Sequence, residues 1–144
     1  MSTQLKARTG AVLFILWGLI HIAGGGTIIA ATLQGAEAGY AIYQNSAGNY
    51  PAIAGNALAY LAYFFVCAGV ATVAIGATLN WRNSELGLAI NTTIAGITDL
   101  GLVIFFAVPG YVSWLEASIG ILLFFGAAIL GGWACNAASE PVTD

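Results

Sequence analysis

Long apolar runs separated by short polar breaks dominate this chain. A helix needs about 20 apolar residues to cross the hydrocarbon core of a bilayer. Four stretches reach that length: Ala11 to Leu33, Ala54 to Thr78, Leu86 to Val108 and Val112 to Cys135. The breaks carry turn chemistry. Residues 34–53 are rich in Gly, Asn and Tyr, residues 80–85 read Asn-Trp-Arg-Asn-Ser-Glu, and Pro109-Gly110 is a strong helix breaker. The pattern predicts an all-α integral membrane protein, a single four-transmembrane-helix bundle over residues 1–144. A cleaved signal peptide is the competing reading of the first run, because Lys6 and Arg8 precede it. Its apolar length exceeds the usual span of about 7 to 15 residues for a signal core, which favours a transmembrane helix.

Composition agrees with the pattern. Hydrophobic residues make up 60% of the 144 positions and charged residues 6%, against roughly 25% charged in soluble domains. A net charge of -3 argues against a nucleic-acid partner. Four crossings place Lys6, Arg8 and Arg82 on one side, so the positive-inside rule puts both termini in the cytoplasm and the 34–53 loop outside. The expected location is a bacterial inner (cytoplasmic) membrane, with the lipid bilayer as the first partner. Tyr50, Trp81, Tyr111, Trp114 and Trp133 fall near helix ends, as interfacial anchors do.

Small residues four apart mark close helix contacts in lipid. Ala68, Thr72 and Gly76 form one such row, and Ala127, Gly131 and Cys135 another. Gly24-Gly25-Gly26 suits tight packing, with local unwinding beside a cavity as the alternative.

Polar residues at membrane depth are the candidates for chemistry. His21 lies near the centre of the first run, Asp99 slightly outside the centre of the third, and Glu116 in the outer half of the fourth; these are the candidate catalytic residues. Asn56, Tyr60, Tyr63 and Cys67 recur at helical spacing on one face. Asn56, Tyr60 and Tyr63, with Asn91, Thr98 and Trp17, suggest a substrate-binding pocket opening outward, roofed by residues 34–53 with Tyr40, Tyr43, Gln44 and Asn45. Burial and a neighbouring cation or hydroxyl act on Asp99 in opposite senses, which suits general acid or base catalysis. The bland alternatives are that Asp99 locks the bundle by hydrogen bonding, that His21 is a satisfied core residue, and that Glu116 caps a helix start.

No local metal motif is present, and one histidine without an internal methionine cannot supply two axial haem ligands. No metal and no cofactor are implied. Cys67 and Cys135 read as small buried hydrophobes. The function expected is acid/base catalysis (isomerisation, cyclisation or epoxide opening) on a lipophilic small molecule. The alternatives are a non-catalytic subunit of a larger membrane complex, or a proton-coupled transporter that would need to form a homo-oligomer.

Overall fold

The computed structural model describes residues 1–43 and 52–139, and these are helical with no strand among them. Tyr50, Gln44 and Asn45 lie outside the described residues, as do Glu140 and Asp144. Helix α1 covers Thr3–Thr32, α2 Ala36–Tyr40, α3 Ala52–Thr78, α4 Glu85–Leu102 and α5 Trp114–Ser139. A 3-10 turn, Asn80–Arg82, links α3 to α4, and α4 continues into a π-helical turn over Val103–Ala107. Four helices are long and apolar enough to cross a membrane, and the chain is an integral membrane protein of that class.

The first helix starts eight residues before its apolar run. Ser2 caps it by accepting from the Leu5 amide at 3.3 Å, and Lys6 and Arg8 are fully helical. The apolar run marks the part of a helix that lipid must cover, whereas capping decides where the helix begins. At about 1.5 Å per residue, 30 residues extend beyond a hydrocarbon core of about 30 Å. The overhang carries both cations. Lys6 stands 5.8 Å over the Trp133 ring and Arg8 5.5 Å over Trp81, so the cations and two aromatic anchors share the terminal end of the bundle.

Helix α1 is the hub, packed on α3 and α5, with α4 closing the ring against those same two helices. Its buried residues Ala7, Gly10, Ala11, Phe14, Trp17, Gly18, Gly25 and Ile28 follow helical spacing along one face. Close approach depends on missing side chains. A Cβ on Gly18 would stand 2.6 Å from the Gly69 carbonyl oxygen, and one on Gly69 2.5 Å from that of Gly18. Gly10 meets the Ala127 and Gly131 backbone in the same manner at 3.1 Å. The rows through Thr72 and Ala127 are therefore contact faces, and both of those residues are fully buried. The triglycine divides its roles within an unbroken helix: Gly25 packs on Ala62, while Gly24 and Gly26 face open space.

Buried polarity in this bundle gathers on α4, where Gly87, Asn91, Ala95 and Asp99 recur every four residues on the inner face. Asn91 donates to the Thr72 carbonyl at 3.2 Å. Large apolar side chains such as Leu86, Ile97, Leu100, Leu115 and Leu122 point outward, as lipid contact allows and water does not.

Candidate functional site

Trp17 and His21 are one helical turn apart on the inner face of α1, and Asp99 reaches them from α4 across the bundle. The Trp17 indole N–H donates to both Asp99 oxygens, at 3.1 Å each, which fixes the plane of the carboxyl group. The His21 ring stacks on Trp17 with centroids 3.6 Å apart, and Phe65 of α3 meets it edge-on at 6.2 Å.

The hydrogen bonds of His21 determine its tautomer. Nδ1 lies 2.9 Å from the Trp17 carbonyl oxygen, which can only accept, so Nδ1 carries hydrogen. The other nitrogen, Nε2, faces Asp99 Oδ1 at 3.8 Å. That approach is favourable where one of the two groups carries a proton, as imidazolium facing carboxylate or as carboxylic acid facing imidazole. Both forms leave the pair electrically neutral. At 3.8 Å the two atoms stand beyond hydrogen-bond distance, so the contact is electrostatic, and a proton passes between them only when the gap closes.

A cleft of about 340 Å³ opens beside this cluster at the end of the bundle away from the termini. His21, Gly24, Thr98, Tyr43, Glu116 and Gly120 are among its lining residues. Asp99 lies behind His21 and is 4% exposed. Gly120 of α5 brings the two within reach of the cleft. The position a Cβ would take there is 3.2 Å from Asp99 Oδ1 and 3.7 Å from His21 Cε1. Tyr43 stands at the cleft as a hydroxyl that keeps its proton, since burial, with the neighbouring Tyr40 adding to it, pushes the phenol up to about 12. Tyr40 itself donates to the Ala54 carbonyl at 3.2 Å, tying the described part of the 34–53 connection to α3.

Other sequence candidates are placed differently. Asn56, Tyr60 and Tyr63 do not line the cleft. They sit on the exposed face of α3, with Tyr60 65% and Tyr63 55% accessible, because the small residues Ala62 and Gly69 turn the opposite face inward. Cys67 shares that exposed face, while Cys135 is buried, with its thiol 3.5 Å from Asn83 Oδ1. Trp17 is fully buried and acts on Asp99 instead of offering a wall to a ligand. Asn91 is inside the bundle but remote from the cleft lining. Thr98 does line it, with its hydroxyl donating to the Ile94 carbonyl at 2.8 Å.

Glu116 reaches the cleft wall but is engaged in a capping box. Its carboxylate accepts from the Ser113 amide at 3.0 Å and the Ser113 hydroxyl at 2.6 Å, and that hydroxyl accepts from the Glu116 amide at 3.2 Å. The Ser-x-x-Glu spacing at 113–116 carries this signal in the sequence. Gly120 and Tyr43 are the cleft residues that composition and spacing did not single out as part of the catalytic centre. Comparison with known proteins finds no family model, no curated protein and no solved structure that matches this chain.

Proposed function

We propose that this protein is a small membrane-embedded enzyme that moves protons on a lipophilic molecule bound in the cleft at His21 and Asp99. The observation that carries the reading is Gly120. A Cβ there would crowd Asp99 Oδ1 at 3.2 Å and His21 Cε1 and Trp17 Nε1 at 3.7 Å each, so its absence lets a cleft-lining position of α5 lie directly against the His–Asp pair. Isomerisation of an unsaturated ketone illustrates the chemistry. The pair accepts the α-proton, the electrons of that C–H bond pass into the enolate, and the Tyr43 hydroxyl donates to the developing oxyanion. The same proton is returned at the γ-carbon, so atoms and charge balance.

The test uses protein in phosphatidylcholine vesicles and a long-chain β,γ-unsaturated ketone, whose conjugated product is followed by ultraviolet absorption. Turnover is expected in the wild type, loss in His21→Ala and Asp99→Asn, and a reduced rate in Gly120→Ala. Full turnover in both of the first two variants would reject the assignment, and so would a wild type without turnover of this ketone and the corresponding long-chain epoxide.

A second reading, a subunit of a larger membrane assembly, is favoured by the exposed Asn56, Tyr60, Tyr63 and Cys67 stripe. Tyr63 and Cys67 hydrogen-bond each other along this face, and a neighbouring helix would offer the stripe further polar partners. Co-purification of a second polypeptide, lost on changing Tyr60 and Tyr63 to Phe, supports that reading; a monodisperse single chain refutes it.

A further inference from the structure

The cleft does not end at His21. Phe65 and Thr98 belong to its lining and also to that of a groove of about 730 Å³ running between α3 and α4. The groove is walled by apolar side chains, among them Phe64, Ile97 and Phe105, which are all largely exposed. It faces lipid, not the ends of the bundle, because its walls are the flanks of two membrane-crossing helices. Gly101 leaves its floor open, with nothing within 4 Å of where a side chain would begin. The π-helical turn Val103–Ala107 sits at its end, where the extra residue per turn sets Phe105 and Phe106 on the groove wall. Cleft and groove each fall in the size range of small-molecule sites, about 300 to 1,000 Å³.

Charge narrows the occupant. No lysine or arginine lines the cleft or the groove among the described residues. Arg8 and Lys6 are held at Trp81 and Trp133, at the opposite end of the bundle. A phosphate or carboxylate head would therefore meet Glu116 at the mouth and the Asp99 side of the pair at the floor, with no cation to offset its desolvation. Neutral hydrogen-bonding groups suit the hydroxyls of Tyr43 and Thr98.

Building on the proposed function, we infer that the occupant is a neutral single-chain amphiphile. Its hydroxyl or carbonyl head lies in the cleft beside His21, and its apolar tail lies in the α3–α4 groove, through which it enters sideways from the bilayer. The three-tryptophan variant W81F/W114F/W133F leaves Trp17, stacked on His21, as the single reporter. It is titrated in phosphatidylcholine vesicles with a long-chain alcohol brominated next to its hydroxyl group, and quenching of Trp17 is read.

Quenching is expected to saturate. The matching brominated carboxylate at pH 8 is expected to bind at least about tenfold more weakly, as an unpaired charge in an apolar site should. Gly24→Leu, which fills the cleft from an open position, should abolish saturable quenching. Gly101→Leu should weaken the long-chain alcohol about tenfold, the loss of some ten atom–atom contacts, and leave a short-chain brominated alcohol unchanged. Quenching that rises without saturating, equal affinity for the carboxylate, or wild-type binding in Gly24→Leu overturns the inference. Turnover is not read in this experiment. Saturable binding beside an Asp99→Asn protein that still turns over the ketone refutes the catalytic reading alone.

Discussion

Replacing Gly69 by Ala tests how the α1–α3 crossing holds the site together. The added Cβ would stand 2.5 Å from the Gly18 carbonyl oxygen, about 0.9 Å short of the 3.4 Å at which ordinary contact begins. It would also meet the Ile22 amide nitrogen at 3.1 Å, and backbone cannot rotate away as a side-chain tip can. The helices must separate instead. A gap of 0.5–1 Å forfeits roughly a quarter to a half of each dispersion contact along the seam, and packing is the main attraction between helices in lipid. Overpacking of this kind costs about 1–3 kcal/mol, and the backbone contacts place Gly69→Ala in the upper part of that range. Alanine also raises helix propensity by up to about 1 kcal/mol, so Gly26→Ala, where the new Cβ meets nothing within 4 Å, is the reference. Thermal or denaturant unfolding in mixed micelles should show Gly69→Ala about 1–3 kcal/mol less stable than Gly26→Ala. Gly18→Ala should behave alike, and the double variant should cost less than the sum, since either change opens the same crossing. Equal stability of Gly69→Ala and Gly26→Ala within about 0.5 kcal/mol would refute the close crossing.

Three further outcomes check other parts of the site. Trp17→Phe removes the N–H shared by both Asp99 oxygens, and a hydrogen bond to a charged group contributes about 1.5–3 kcal/mol; unfolding should show a loss of that order, and an unchanged midpoint would deny the bond a structural role. Glu116→Gln keeps the capping box, so it should leave both stability and turnover intact, whereas Ser113→Ala should cost about 1 kcal/mol; a large activity loss in Glu116→Gln with unchanged stability would instead make Glu116 catalytic. Because Tyr43 keeps its proton to about 12, affinity for the brominated alcohol should stay flat through pH 10, the ordinary tyrosine value, and a fall centred there that vanishes in Tyr43→Phe would show an ordinary phenol.

What the sequence made legible follows from how lipid filters side chains. Apolar runs locate four spans because most residues facing hydrocarbon are apolar whatever their neighbours, and His21 and Asp99 stand out because membrane depth makes polar groups costly. The same logic fails to say which way a polar residue faces. Asn56, Tyr60 and Tyr63 share a helical face, as their spacing requires, yet that face is turned outward. In water an apolar face opposite a polar one fixes the orientation of a helix, whereas α3 is apolar nearly all round. Here the inward face is set by the smallest residues, Ala62, Gly69 and Thr72, which allow backbones to approach. Ranking faces by residue size places the tyrosine stripe outside and brings Gly120 in, because the residue that lies against the His–Asp pair has no side chain to mark it. In a bundle of this kind, functional residues are to be sought among polar groups on the same face as the glycines. Asp99, four residues from Ala95 and facing Gly120, satisfies that condition; Tyr60 and Tyr63 do not.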